Sequence, residues 1–230
     1  MKPFDFEAEY GAGYDTLIRQ VVPGYDDLHL SVLALLAPVP DGADVMVVGV
    51  GSGSELVTLG RGRPGWRLTG VEPSDQMIRI TGARLERAGL QDRVRIHHGY
   101  TDDLPAEPAF DAATLVCVLH FLPDDGSKLA LLRSIAVRLR PGAPLVLVDG
   151  CGAPGTSRFT REWNAWMEFI SRKGLTGTER DAYRSQVERG VHFVPEERIV
   201  GLLEAAGFAE PQPFYRAFVF GGWLATRAGG

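Results

Sequence analysis

Apolar positions along the chain fall into two rhythms, short continuous runs and longer stretches at helical spacing. The continuous runs at 45–48, 68–72, 94–97, 113–118 and 145–148 predict five strands, several of them apolar enough to be buried on both faces. Between them, 26–36, 55–59, 75–88 and 128–139 carry helical spacing, with Leu28, Val32 and Leu35 forming one face of the first. The punctuation agrees. Pro38 and Pro40 stop the first helix, Ser74 after Pro73 caps the third, and Gly89 closes it. Arg140-Pro141-Gly142 ends the fourth. Beyond 148 the pattern changes to a helical excursion over 159–189, broken near Gly174–Gly177, then a helix over 195–206. A closing pair of strands follows over 214–226, and no repeat or low-complexity tract interrupts the chain. Strands alternating with helices predict an α/β fold on a mostly parallel sheet.

The junction after the first strand carries the chemistry. Gly49, Gly51 and Gly53 alternate with Val50 and Ser52, so the backbone can turn sharply and approach a ligand closely. The helix that follows would aim its free N–H groups at that ligand. Glu72 ends the second strand, 19 residues after Gly53, where a carboxylate can accept both hydroxyls of a ribose. A dinucleotide fingerprint needs glycine at its first, third and sixth positions, and the sixth here is Ser54 or Leu56. Glycine at first, third and fifth positions instead suits a nucleoside with an amino-acid tail and no phosphate. That ligand is S-adenosylmethionine. A bare strand–turn–helix junction is the alternative reading of the glycines alone.

Composition narrows the partners. A chain of 230 residues with 45% hydrophobic content can bury one good core, predicting one domain. A net charge of −5 argues against a broad nucleic-acid footprint, and Arg61, Arg63 and Arg67 read as a solvated cluster. Cys117 and Cys151 are expected as reduced, packed thiols, consistent with a cytoplasmic setting and no metal site. The acidic, aromatic start, Met1 to Glu9, predicts no secretory signal, and no apolar run approaches the roughly 20 residues that cross a bilayer.

The glycine loop, Glu72, Gly99-Tyr100-Thr101, Phe110-Asp111 and Leu139-Arg140-Pro141-Gly142 together resemble the motifs of class I S-adenosylmethionine-dependent methyltransferases. The resemblance implies a Rossmann-like, mostly parallel seven-stranded sheet with helices on both faces and an antiparallel C-terminal hairpin. It implies S-adenosylmethionine as cofactor, S-adenosylhomocysteine as product and no metal. Cofactor contacts are then expected at Gly49, Val50, Gly51, Ser52, Gly53, Glu72, Pro73, Met77, Tyr100 and Thr101. Two positions depart from the family pattern: Val47 stands where an acid is usual, and Tyr100 where the adenine-side acid is. A narrower resemblance, over Val22-Pro23-Gly24-Tyr25, Tyr183-Arg184-Ser185, Ala206-Gly207-Phe208 and Phe218-Val219-Phe220-Gly221, is to the carboxy-S-adenosylmethionine synthases. These add a carboxylate from prephenate to the cofactor's methyl group. That resemblance implies Tyr25 on the cofactor's tail carboxylate, Val116 beside the cofactor and Arg184 on the extra carboxylate.

Candidate catalytic groups sit where the sheet's C-terminal edge would meet the ligand. His120 follows the fourth strand and can act as a base near neutral pH; otherwise it is a histidine bonding a backbone carbonyl. Asp149 at the end of the fifth strand is a second base or an acceptor anchor, or else a loop cap. His97 and His98 read as structural or surface residues. Arg184 is either an anion clamp or a solvated helix arginine. Segments 1–25, with Tyr10, Tyr14 and Tyr25, and 155–190, with Trp163, Trp166 and Tyr183, are the expected lid and acceptor elements. Tyr14, Trp163, Trp166 and Arg184 are the candidate acceptor contacts, although Trp163 and Trp166 also fit a stripe packed on the sheet. The expected reaction is methyl transfer to a small molecule, by one copy or a homodimer. Carboxyl transfer to the cofactor and non-catalytic cofactor binding are the other readings.

Overall fold

The computed structural model describes residues 10–229, with side chains from residue 13. The expectation for 1–9 lies outside the described residues. Seven strands form one sheet in the order β3-β2-β1-β4-β5-β7-β6. They are β1 (Asp44–Val48), β2 (Arg67–Glu72), β3 (Val94–His98), β4 (Ala112–Val116), β5 (Pro144–Gly150), β6 (Phe208–Ala217) and β7 (Phe220–Arg227). β1 to β5 run parallel, whereas β7 pairs antiparallel with both β5 and β6. The Rossmann-like sheet with an antiparallel hairpin is therefore the observed architecture. Strand order reverses between β1 and β4, and ligands in open α/β sheets bind outside the carboxyl ends at such a switch.

Strand alternation divides the interior into two cores. Val45, Val47, Ala112, Val116, Val146 and Val148 face one way, against α1 (Tyr10–Val21), α2 (Tyr25–Leu35), α3 (Ser54–Gly62), α4 (Asp75–Ala88), α6 (Ser157–Arg172) and α7 (Gly177–Gly190). Met46, Val48, Ala113, Leu115, Leu145 and Leu147 face the other, against α5 (Ser127–Arg138) and α8 (Glu196–Ala205). A parallel sheet covered on both sides needs such continuous apolar strands.

The structure refines several expected boundaries. β4 stops at Val116 rather than residue 118, because Cys117 adopts a left-handed backbone with φ of 57° and leaves the ladder. The excursion after β5 is two helices, parted at residues 173–176. The closing hairpin starts at Phe208, six residues before the expected 214, because Gly207 at φ of 90° turns the chain directly out of α8. Helix α1 lies outside the expected helices. It is held by tertiary contacts: Trp166 Nε1 of α6 donates to Val21 O at its C-terminus, at 2.7 Å.

Trp166 is 2% exposed. Trp166→Phe keeps most of the apolar area and leaves the Val21 carbonyl without its donor. Denaturant unfolding should show a loss of about 1–3 kcal/mol, the cost of a buried unsatisfied acceptor.

Candidate functional site

β1 ends where Gly49 N–H donates to Val71 O at 2.8 Å, and three left-handed glycines follow. Their φ values are 74° at Gly49, 51° at Gly51 and 81° at Gly53. A Cβ on Gly49 would collide with the Val118 side chain, and one on Gly53 would lie 2.9 Å from Thr81 Cγ2. No side chain caps the N-terminus of α3, so its first-turn N–H groups point out of the loop. Glu72, 7% exposed at the tip of β2, accepts from Gly51 N–H and from Ser74 N–H, each at 3.0 Å. One carboxylate thus fixes both the loop and the start of α4. Its two oxygens have further acceptor capacity, which is what a ribose diol needs.

Around this cradle the expected contacts take different positions. Val50 is buried in the loop, and Met77 is buried in the first turn of α4 below the Ser74 cap. Pro73 is exposed, and the Tyr100 ring is 65% exposed. The buried Thr101 accepts a hydrogen bond from Ser134 Oγ at 2.8 Å, so its hydroxyl is engaged with α5. Ser52 Oγ donates to Asp15 Oδ1 of α1 at 2.6 Å, and Arg84 of α4 pairs with both Asp15 and Ser54. Helix α1 is thereby latched over the loop, with the Tyr14 hydroxyl 3.4 Å from where a Gly51 Cβ would stand.

Beside the cradle lies an apolar cavity lined by Tyr14 and Leu17 of α1, Cys117, His120, Trp166 and Tyr183, among others. His120 Nδ1 lies 2.7 Å from Asp149 Oδ1, which also accepts from the His120 backbone N–H at 3.1 Å. Gly150 N–H approaches the same ring nitrogen at a much longer 3.4 Å. The shorter contact to a carboxylate dominates, which assigns the proton to Nδ1 and leaves Nε2 as the basic nitrogen. Asp149 is fully buried and its Oδ2 has no hydrogen-bond partner. The fully buried Lys128 donates to Leu119 O at 2.8 Å under the same turn, and the Asp149 charge works against the desolvation that lowers its pKa. Sequence reasoning missed Lys128, because it looked like an ordinary first-turn lysine of α5.

The remaining expected residues separate. Val116 ends β4 buried near the cavity, and Tyr25 meets His29 edge-on at 4.5 Å. Burial pushes the Tyr25 phenol well above its usual range, with Tyr14, Cys117 and Glu55 adding to the shift. Of the two tryptophans, Trp166 lines the cavity while Trp163 stacks on Phe159 at 5.9 Å. Arg184 does not reach the cavity: it is half-exposed and pairs with Glu188 at 2.8 Å, one turn along α7. The adjacent Tyr183 and the following Val187 and Val191 present the face that does. The other missed members of the site are Asp15, Arg84 and Glu55; Asp15 and Arg84 lie 69 residues apart, a separation no local pattern reports.

Residues 46–145 match the methyltransferase domain family. The fold and the cradle agree with it. The chain is similar to class I methyltransferases over this segment. It is 23% identical to a carboxy-S-adenosyl-L-methionine synthase of Klebsiella pneumoniae over 228 residues, covering 97% of this chain and 91% of that one. Among solved structures it is similar to an S-adenosylmethionine-dependent methyltransferase of Aquifex aeolicus, with a TM-score of 0.64 and 16% identity over 98% of this chain and the whole of the other. It also matches the apo S-adenosylmethionine-dependent methyltransferase SibL at a TM-score of 0.63 and 18% identity, over 89% of this chain and 56% of that one. S-adenosylmethionine, the cofactor of these relatives, fits the residues present: a cradle with no room for a Cβ at Gly49 or Gly53, an acid at the β2 tip and open helix N–H groups. Among the described residues no helix is long and apolar enough to cross a membrane, and no three His, Cys, Asp or Glu side chains group as metal ligands.

Gly51→Val places a β-branched residue at φ of 51° beneath Tyr14. Calorimetry should show S-adenosylmethionine binding abolished while the variant still unfolds cooperatively. Retained binding would mean that the loop is not the cradle.

Proposed function

We propose that this methyltransferase acts on a small apolar or aromatic acceptor held in the cavity, with the His120–Asp149 pair taking up the acceptor's proton. S-adenosylmethionine, when bound, supplies a methyl group activated by the adjacent sulfonium charge. The chain's own tasks are then to hold the acceptor, exclude water and move one proton. The cavity walls supply the first two. Leu17, Ile18, Val21, Val187 and Val191 offer no hydrogen bonds, so an acceptor enters by shedding its hydration. Helix α1 and helices α6 and α7 serve as its covers.

Asp149 holds His120 with Nδ1 protonated and stabilises the imidazolium that forms when Nε2 accepts a proton. The Asp149 charge favours the ammonium form of the buried Lys128 under the same turn, against the desolvation that lowers its pKa. A cytoplasmic setting fits the two free thiols. The acceptor contacts are assigned to Tyr14 and Trp166, and the assembly to one copy or a homodimer.

The observation that carries methyl transfer over carboxyl transfer is the chemistry of the cavity wall. Carboxyl transfer brings a second anion into the site and needs a cation there. Among the described residues no arginine or lysine lines the cavity. Arg184, the residue the resemblance offers for that task, is tied to Glu188 on the outer flank of α7. Support for the carboxyl reading is the full-length similarity to the synthases.

With an acceptor found by screening apolar phenols and amines, His120→Ala should lower kcat by about 10²–10⁴-fold and leave cofactor affinity unchanged. Arg184→Ala should leave both unchanged. Equal turnover in the histidine variant, or a collapse in the arginine variant, would reverse the assignment.

A further inference from the structure

Glu55 is the second residue of α3, two positions beyond the last glycine of the cradle. Its residue is 5% exposed, and Oε1 is buried with no hydrogen-bond partner. None of the elements packed around it brings an uncommitted cation. β4 brings Thr114, which pairs in register with Val47 of β1; its hydroxyl favours the Glu55 anion without meeting hydrogen-bond geometry. α2 brings the Tyr25 phenol, and the turn after β4 brings the Cys117 thiol, both pushed up partly by the Glu55 charge. α4 brings Arg84, already committed to Ser54 and Asp15. Burial raises the Glu55 carboxyl from 4.5 to about 7, against the smaller pull of Thr114.

A carboxylate in this position is a cost to the fold with no counter-charge inside the protein. Protonation relieves part of that cost, and a cation arriving with a ligand would relieve the rest. No metal-ligating group of three includes it among the described residues. The family's cofactor is cationic at its methionine end, where a sulfonium and an ammonium accompany one carboxylate. The open N–H groups of α3 suit the tail carboxylate, and the ammonium is borne on the carbon next to it. The same first turn carries Glu55.

We infer that Glu55 is the anion that receives the ammonium of the cofactor's methionine tail, making cofactor binding a proton-releasing event at neutral pH. The inference rests on the cofactor reading given above. Binding converts a partly protonated carboxyl into a paired carboxylate, and the proton leaves to solvent. Affinity therefore rises with pH up to the carboxyl's unbound value and levels off above it until the ligand's own ammonium loses its proton. It falls by up to tenfold per pH unit below that value, until the bound-state value is reached.

Calorimetry on the full chain decides it, with S-adenosylmethionine and S-adenosylhomocysteine each titrated at pH 7 in two buffers of different protonation heat. Wild type should release a fraction of a proton with both ligands, because both keep the ammonium. Glu55→Gln should release none, bind both at least tenfold more weakly and lose the pH dependence. No release in wild type, the same release in the variant, or weakening for S-adenosylmethionine alone would overturn the inference; the last would move the contact to the sulfonium. Wild type that binds neither ligand would instead refute the cofactor reading on which the inference stands. Thermal unfolding without ligand checks that the variant folds. The folded carboxyl keeps its proton to higher pH than the unfolded one, so wild type loses stability relative to Glu55→Gln as pH rises from 4.5 to about 7. The variant should thus melt above wild type at pH 8 and level with it near pH 4.

Discussion

The organising constraint is the double acceptance at Glu72. One carboxylate, held at the β2 tip by the sheet, takes N–H groups from Gly51 and Ser74 and so fixes a left-handed loop to the start of the next helix. Charge-assisted bonds of this kind contribute about 1.5–3 kcal/mol each, enough to hold a loop that no apolar contact could define alone. The shape of the cradle follows from that anchor. Thr81 Oγ1 donates to Gly51 O at 2.7 Å from α4, closing the loop from the other side. Because Val118 packs where a Gly49 Cβ would stand, the loop and the β4 turn are mutually positioned. The turn carrying His120 is therefore registered against the cradle through glycine itself.

A second theme is the number of buried charges tolerated near the sheet's carboxyl edge. Glu55, Asp149 and Lys128 lie inside the protein, and one oxygen of each carboxylate has no hydrogen-bond partner. Natural cores exclude such groups unless they are paired or used. Here they surround the cradle and cavity, whereas at the sheet's opposite end Arg67–Asp44 and Arg140–Asp111 are solvent-touched surface pairs and the buried Arg138 donates to Ser134 O and Leu104 O. That distribution is the electrostatic signature of a site: destabilising groups concentrated where a ligand or a proton transfer can use them.

Much of this was legible in the sequence, and for definite reasons. The β1–α3–β2 unit is local and punctuated by glycine, so its residues report its geometry directly. Strands apolar on both faces revealed the parallel sheet, and Ser74 and Gly89 bounded α4 as capping rules require. Local signals stopped where long-range packing took over. Helix α1, with its Asp15–Ser52–Arg84 latch, depends on partners 37 and 69 residues away. Arg184 stays open between two readings in sequence because helical phase in a polar segment is ambiguous: Tyr183 and Val187 face the cavity, which turns Arg184 and Glu188 outward together. Cys117 ended β4 early through its backbone conformation, which no side-chain pattern announces.

The proposed function requires this cradle to hold S-adenosylmethionine as a methyl donor. Mass spectrometry of the nucleoside released from native protein, after equilibration with cell extract and denaturation, tests it most directly. S-adenosylmethionine or S-adenosylhomocysteine is the expected species. A species heavier than S-adenosylmethionine by one carboxylate would contradict it and return the reaction to carboxyl transfer.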